Sequence, residues 1–210
     1  MLSRTGRPLA KTIFGPIAHA CVKLGISANT ITVVGTFLTV ITSLYFFPTN
    51  QLLLGFVIVS ILVIFDNLDG QVARLTNSSS TWGAFLDSTM DRFADAAIFA
   101  SFVAWGYTSA SEPTRIWVMT GALAALVFGS VVPYARARAE GVGLTASVGI
   151  AERADRLVFA GICVLLVGFG LSHWFMAIGM WILAILSFIT VIQRMHTVFQ
   201  QCKAGESEGE

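Results

Sequence analysis

Apolar residues fill six long runs of this chain, and the polar residues between them fall in clusters. The first run, "ITVVGTFLTVITSLYFF", follows Ser27 and Asn29, either of which suits a helix N-cap, and it stops at Pro48. The second, Gln51 to Leu75, is apolar through Phe65 and then turns sharply polar. Further runs span Trp82–Tyr107, Pro113–Ala139, Asp155–Leu171 and His173–Thr197, the last two separated by a turn around Ser172. Runs of about 20 residues match a hydrocarbon core of roughly 30 Å. The pattern therefore predicts an all-α integral membrane protein with six transmembrane helices. Ahead of them, Ile13, Phe14, Ile17, Ala20, Cys21 and Leu24 recur at helical spacing with cations between them, which predicts an N-terminal interfacial amphipathic helix over residues 3–24. The expected organisation is that helix within residues 1–25, a six-helix membrane domain over 26–200, and a polar tail over 201–210.

Composition excludes a soluble domain: 55% of the residues are hydrophobic and 12% charged, and the mean hydropathy is +0.76. The placement of charge sets the orientation. Arg4, Arg7, Lys11 and Lys23 precede the first span, Arg74 follows the second, Arg136, Arg138, Arg153 and Arg156 flank the gap between the fourth and fifth, and Arg194 and Lys203 lie near the end. The opposite loops hold only Arg115, so both termini are expected in the cytoplasm of a cell-membrane protein. Lys11, His19 and Lys23 interrupt the N-terminal apolar residues, unlike a cleaved signal peptide. Cys21, Cys163 and Cys202 are far apart and show no metal or disulfide spacing.

Against this apolar background, five of the 12 acidic residues fall between Asp66 and Asp95. Asp66 and Asp69 are three apart and Asp87 and Asp91 four apart, so each pair shares a helical face. The topology brings both pairs to the cytoplasmic ends of two adjacent spans. Four carboxylates gathered there repel one another unless cations neutralise them. Hard oxygen ligands favour Mg²⁺, Mn²⁺ or Ca²⁺ over zinc. Gly70, Ala73 and Gly83 leave room for a bulky ligand, Arg74 offers a guanidinium fork to phosphate, and "TNSSST", Thr76 to Thr81, adds hydroxyl and amide donors. Metal, arginine and glycine together read as a diphosphate site.

As a pattern, Asp66 to Asp91 is D-x2-D-G-x2-A-R-x8-G-x3-D-x3-D. This resembles the signature of the CDP-alcohol phosphatidyltransferase family at every fixed position. The preceding "SANTIT" resembles that family's S-x-N-x-x-T element, with Ala28 where many members carry Pro. The resemblance implies a homodimer with two Mg²⁺ ions, or Mn²⁺, per active site, held by Asp66, Asp69, Asp87 and Asp91. Asp91 would be the catalytic base. CDP-diacylglycerol would lie against Asn29, Thr30, Ile31, Thr32, Gly70, Ala73, Arg74 and Ser80, its acyl chains among membrane lipid, and the acceptor hydroxyl would displace CMP.

A second polar block, Tyr134 to Leu157, lies on the same side by topology. Its arginines suit either topogenic charge near headgroups or an anion pocket. "ARAEG", "GIAERADRL" and the late "QRMHTV" resemble the actinobacterial branch of the family that makes phosphatidylinositol phosphate. The implied acceptor is inositol 3-phosphate, with Arg136, Arg153 and Arg194 as its phosphate contacts. Glycerol 3-phosphate, giving phosphatidylglycerophosphate, is the nearest alternative, and no nucleic acid partner is expected. A divalent-cation channel is the rival of another class, but the acids cluster at one membrane face with no matching ladder beyond. Asp95 extends the Asp87–Asp91 row outside the signature and can pair with Arg92. His19, His173 and His196 read as interfacial polar tips, and Trp105, Trp117, Trp174 and Trp181 as an aromatic belt.

Overall fold

The computed structural model describes residues 15–207, and all regular structure among them is helical. Residues 15–23 form α1. Then follow α2 (Ala28–Phe46), α3 (Leu52–Phe65), α4 (Leu68–Leu75), α5 (Thr81–Ser109), α6 (Thr114–Glu140), α7 (Arg153–Gly168) and α8 (Trp174–Ser207). Among the described residues, four stretches are long and apolar enough to cross a membrane: Ala28–Phe46, Leu52–Leu75, Thr114–Glu140 and Trp174–Gly205. The chain is thus a helical protein of membrane type. The other two expected spans coincide with α5, which carries Asp87, Asp91, Arg92 and Asp95, and with the 16 residues of α7. Arg4, Arg7, Lys11, Ile13 and Phe14 of the expected interfacial helix lie outside the described residues, as does the end of the tail beyond Ser207. α8 itself continues seven residues into the expected tail.

The helix ends follow local chemistry. Ser27 caps α2, its Oγ accepting the Thr30 N–H at 3.2 Å. Pro48 does not itself end that helix. The reversal comes at Asn50, whose φ of 60° lets the Gln51 N–H return to the Phe46 carbonyl at 2.9 Å. The second apolar run is one stretch by composition but two helices in structure, broken at Asp66 and Asn67. There the Asn67 amide donates to the Ile64 carbonyl at 3.2 Å, competing with helical pairing.

The chain divides into two compact units, one formed by the chain up to Ser43 together with Val57–Ile98, the other by Leu44–Phe56 and everything from Phe99 on. In the first, Ala18 of α1 and Leu68 and Val72 of α4 are buried together, with Ile17, Cys21, Val22, Ala28 and Ile31 packed around them. The described part of α1 thus buries a face against protein. In the second, α6 and α7 pack on α8. Gly121 permits the close approach of α6, since a Cβ there would meet the Trp181 ring at 2.9 Å.

Trp105 departs from the aromatic-belt expectation. It is fully buried, donates its indole N–H to Asn50 Oδ1 at 2.9 Å and meets His173 edge-on at 5.1 Å. His173 in turn accepts the Ser111 N–H at 2.9 Å through Nδ1. Trp117 is half exposed, as a belt residue would be. Trp105→Ala is expected to lower stability in detergent by about 3–5 kcal/mol, and Trp117→Ala by under about 0.5 kcal/mol, read from thermal unfolding.

Candidate active site

The eight residues of α4 present three neighbouring stripes. Leu68 and Val72 point into the core of the first unit, Asp69 and Ala73 line a cavity of about 200 Å³, and Gly70 and Arg74 lie alongside. The Arg74 guanidinium folds back toward Gly70, its nitrogens 3.8 Å from where a Cβ on residue 70 would sit. Beyond α4 the chain reverses at Asn77, φ 51°, with the Ser78 N–H on the Ala73 carbonyl at 2.9 Å. This tight reversal carries Ser78, Ser79 and Ser80 onto the cavity wall. Ser80 then caps α5 by accepting the Gly83 N–H at 3.0 Å.

Asp66, Asp69 and Asp87 converge, each offering a carboxylate oxygen within 4.8 Å of the others. Asp66 comes from the break between α3 and α4, Asp69 from the first turn of α4, and Asp87 from the second turn of α5. Asp69 is held hardest: Thr32 donates its hydroxyl to Oδ2 and the Gly70 N–H donates to Oδ1. Three hard oxygen donors at this separation, partly exposed, fit a divalent cation such as Mg²⁺ or Mn²⁺ and do not suit the nitrogen and sulfur preference of zinc. Asp91, one turn along α5, is not part of this trio, and Arg92 lies 3.5 Å from its Oδ2. Asp95 is buried.

The profile of the CDP-alcohol phosphatidyltransferase family matches residues 25–185. The chain belongs to that family. It is therefore an enzyme of the phosphatidyltransferase class. Over 193 residues it is 40% identical to the phosphatidylinositol phosphate synthase of Mycobacteroides abscessus, covering 89% of this chain and 83% of that one. Over 190 residues it is 38% identical to the phosphatidylinositol phosphate synthase of Mycolicibacterium smegmatis, with 87% and 82% covered. Its fold is similar to that of the Mycobacterium tuberculosis phosphatidylinositol phosphate synthase. The crystal structure with CDP-DAG bound has TM-score 0.82 and 35% identity, covering 90% of this chain and 94% of that one. The structure with manganese and citrate has TM-score 0.82 and 34% identity, covering 89% and 88%.

The phosphatidyltransferase signature is thus assembled on one unit, and its neighbourhood differs from expectation in detail. Asn29, Thr32, Gly70, Ala73, Ser80 and Gly83 line the cavity; Thr30 and Ile31 do not. The Thr30 hydroxyl pairs with Ser27 at 2.8 Å, and Ile31 packs into the apolar core. Sequence reasoning missed Ala28 and Ala84 on the cavity wall, and the Thr32–Asp69 bond. No local pattern pairs residues 37 positions apart. In the second unit, Arg136 near the end of α6 is exposed and bonded to Glu140 at 2.9 Å, and Arg153 opens α7, partly buried. Arg194 is 5% exposed. It donates Nε–H to the Val148 carbonyl at 2.8 Å and Nη1–H to the Val132 carbonyl. Arg156, noted only as flanking charge, is 3% exposed and packs on Gly129, where a Cβ would overlap its Nη1.

Removing one carboxylate of the trio should weaken metal binding directly. Asp66→Asn is expected to lower Mn²⁺ affinity at least about tenfold by calorimetric titration, because a neutral amide supplies one weaker oxygen and no charge.

Proposed function

We propose that this enzyme transfers the phosphatidyl group of CDP-diacylglycerol to inositol 3-phosphate and releases CMP. The observation that carries the reading is the carboxylate trio set against a cavity walled by Gly70, Gly83 and the Ser78–Ser80 turn. Relatives named phosphatidylinositol phosphate synthase at 38% and 40% identity support the choice of acceptor, as does the neighbour solved with CDP-DAG.

In this reading Asp66, Asp69, Asp87 and Asp91 hold two Mg²⁺ ions, Mn²⁺ serving in their place. Such ions, when bound, neutralise the diphosphate and the charge that develops on the leaving nucleotide. Asn29, Thr32, Gly70, Ala73, Arg74 and Ser80 receive the cytidine diphosphate, while Thr30 and Ile31 support the element that carries Asn29. Arg136, Arg153 and Arg194 take the acceptor's phosphate, Arg194 with the donors its two carbonyl bonds leave over. Asp91 accepts the proton of the inositol hydroxyl as that oxygen attacks the phosphorus bearing diacylglycerol. The bond from that phosphorus to the CMP oxygen breaks, and CMP departs.

The architecture proposed with this chemistry has six spans, α5 and α7 included, within the 26–200 membrane domain. The 1–25 segment lies in the interface and the 201–210 segment in water. Both termini and the active site face the cytoplasm of the cell membrane, and the enzyme is a homodimer.

Purified enzyme given CDP-diacylglycerol and, separately, inositol 3-phosphate, glycerol 3-phosphate, free inositol and serine should form lipid product with inositol 3-phosphate alone. Product with glycerol 3-phosphate instead would reject the acceptor assignment, and full activity in excess chelator would reject the metal mechanism. Asp91→Asn should keep part of its Mn²⁺ and CDP-diacylglycerol binding yet lose turnover by at least about 100-fold, the span of general-base catalysis. Arg74→Ala should raise the KM for CDP-diacylglycerol, and Arg153→Ala that for inositol 3-phosphate, in steady-state CMP release.

A further inference from the structure

α8 does more than fill the second unit, because three of its polar side chains hold the backbone of the segment joining α6 to α7. Residues 190, 194 and 201 are spaced by four and seven, which puts them on one face of the helix. Gln201 accepts the Thr145 N–H at 3.0 Å and donates to the Thr145 carbonyl at 2.6 Å. Arg194 holds the Val148 carbonyl at 2.8 Å. Thr190 holds the end of the segment: its Oγ1 accepts the Ile150 N–H at 3.3 Å and the Ala151 N–H at 3.2 Å.

Thr190 is fully buried, and its hydroxyl is fully used. It donates to the Leu186 carbonyl at 2.9 Å, as a helical threonine commonly does. Both of its lone pairs are then spent on the two N–H groups of the crossing segment. The methyl side is as closely fitted. Gly149 has φ +148°, and a Cβ there would come within 2.4 Å of Thr190 Cγ2. Only Glu152 separates Ala151 from Arg153, the first residue of α7. The side chain that fixes residues 149–151 therefore also sets where α7 begins and where Arg153 stands.

We infer that Thr190 is a positioning residue for the acceptor, acting through Arg153. The inference rests on the reading that Arg153 takes the acceptor's phosphate. Thr190→Val keeps the shape and removes the oxygen, leaving the buried N–H of Ala151 and the part-buried N–H of Ile150 without their acceptor.

The test compares KM for inositol 3-phosphate and for CDP-diacylglycerol in the full-length enzyme carrying Thr190→Val, Thr190→Ser, Arg153→Ala, or Arg153→Ala with Thr190→Val. Thr190→Val should raise the inositol phosphate KM roughly tenfold and leave the CDP-diacylglycerol KM within about twofold. Thr190→Ser keeps the oxygen and should bring the inositol phosphate KM back to within about threefold of wild type. Added to Arg153→Ala, Thr190→Val should raise it no further, because the two act through one contact. An unchanged inositol phosphate KM in Thr190→Val, beside a raised one in Arg153→Ala, overturns the inference and leaves the acceptor reading standing. No rise in Arg153→Ala overturns both. Should Thr190→Val fail to fold, Gly149→Ala lifts the same segment by steric contact. There the same selective rise supports the inference, and an equal rise for both substrates overturns it.

Discussion

Mutual repulsion of Asp66, Asp69 and Asp87 is the constraint around which the first unit is built. Oxygens within 4.8 Å of one another carry like charge at a separation where they repel. Gathering them has a cost that other contacts must offset. Here those contacts are local and directional. Leu68 and Val72 anchor α4 in an apolar core, and Thr32 and the Gly70 N–H meet the two oxygens of Asp69. A cation bound there would balance the charge, so a geometry that is costly for the protein alone suits a metal ion.

The second unit treats charge in the opposite way. Its described carboxylates, Glu112, Glu140, Glu152 and Asp155, are exposed, whereas Arg156 and Arg194 are buried. A guanidinium has five donors. Arg194 spends some of them on the carbonyls of Val148 and Val132, which joins α8 to α6 and to the segment leading into α7. Positive charge so fixed is pre-organised, because the side chain has little freedom left to lose. Arg136, by contrast, is exposed and bonded to Glu140 at 2.9 Å.

Much of this was legible in the chain because membrane and metal chemistry leave strong marks. The six apolar runs coincide with helices, four of them long and apolar enough to cross a membrane, and the spacing of two pairs, with the resemblance to a family signature, marked the carboxylates. Legibility failed where a contact depends on distant residues or on a backbone exception. Asp66 and Asp69 were placed together by assuming a continuous helix. They do come together, but across a break at Asn67, a residue that bonds its own preceding turn. Trp105 sits at the end of an apolar run like any belt tryptophan, and only its pairing with Asn50, 55 residues away, makes it core. Thr190 carries no signal at all, because the partner N–H groups that give it meaning are anonymous in sequence.

The carboxylates also differ among themselves in a way that bears on how such a centre works. Asp69 is pinned at both oxygens, while Asp87, the exposed member, projects from the early turns of α5. A pinned ligand sets the position of an ion before substrate arrives and loses little entropy on binding it. Gly83 lines the cavity beside these carboxylates, and the nearest side-chain atoms to a Cβ there would be Ser80 Oγ at 3.4 Å and Asn29 Oδ1 at 3.6 Å. A methyl group at residue 83 would fit the protein and narrow the cavity. The backbone there would tolerate alanine, so any need for glycine at this position comes from the room the cavity keeps and not from the fold.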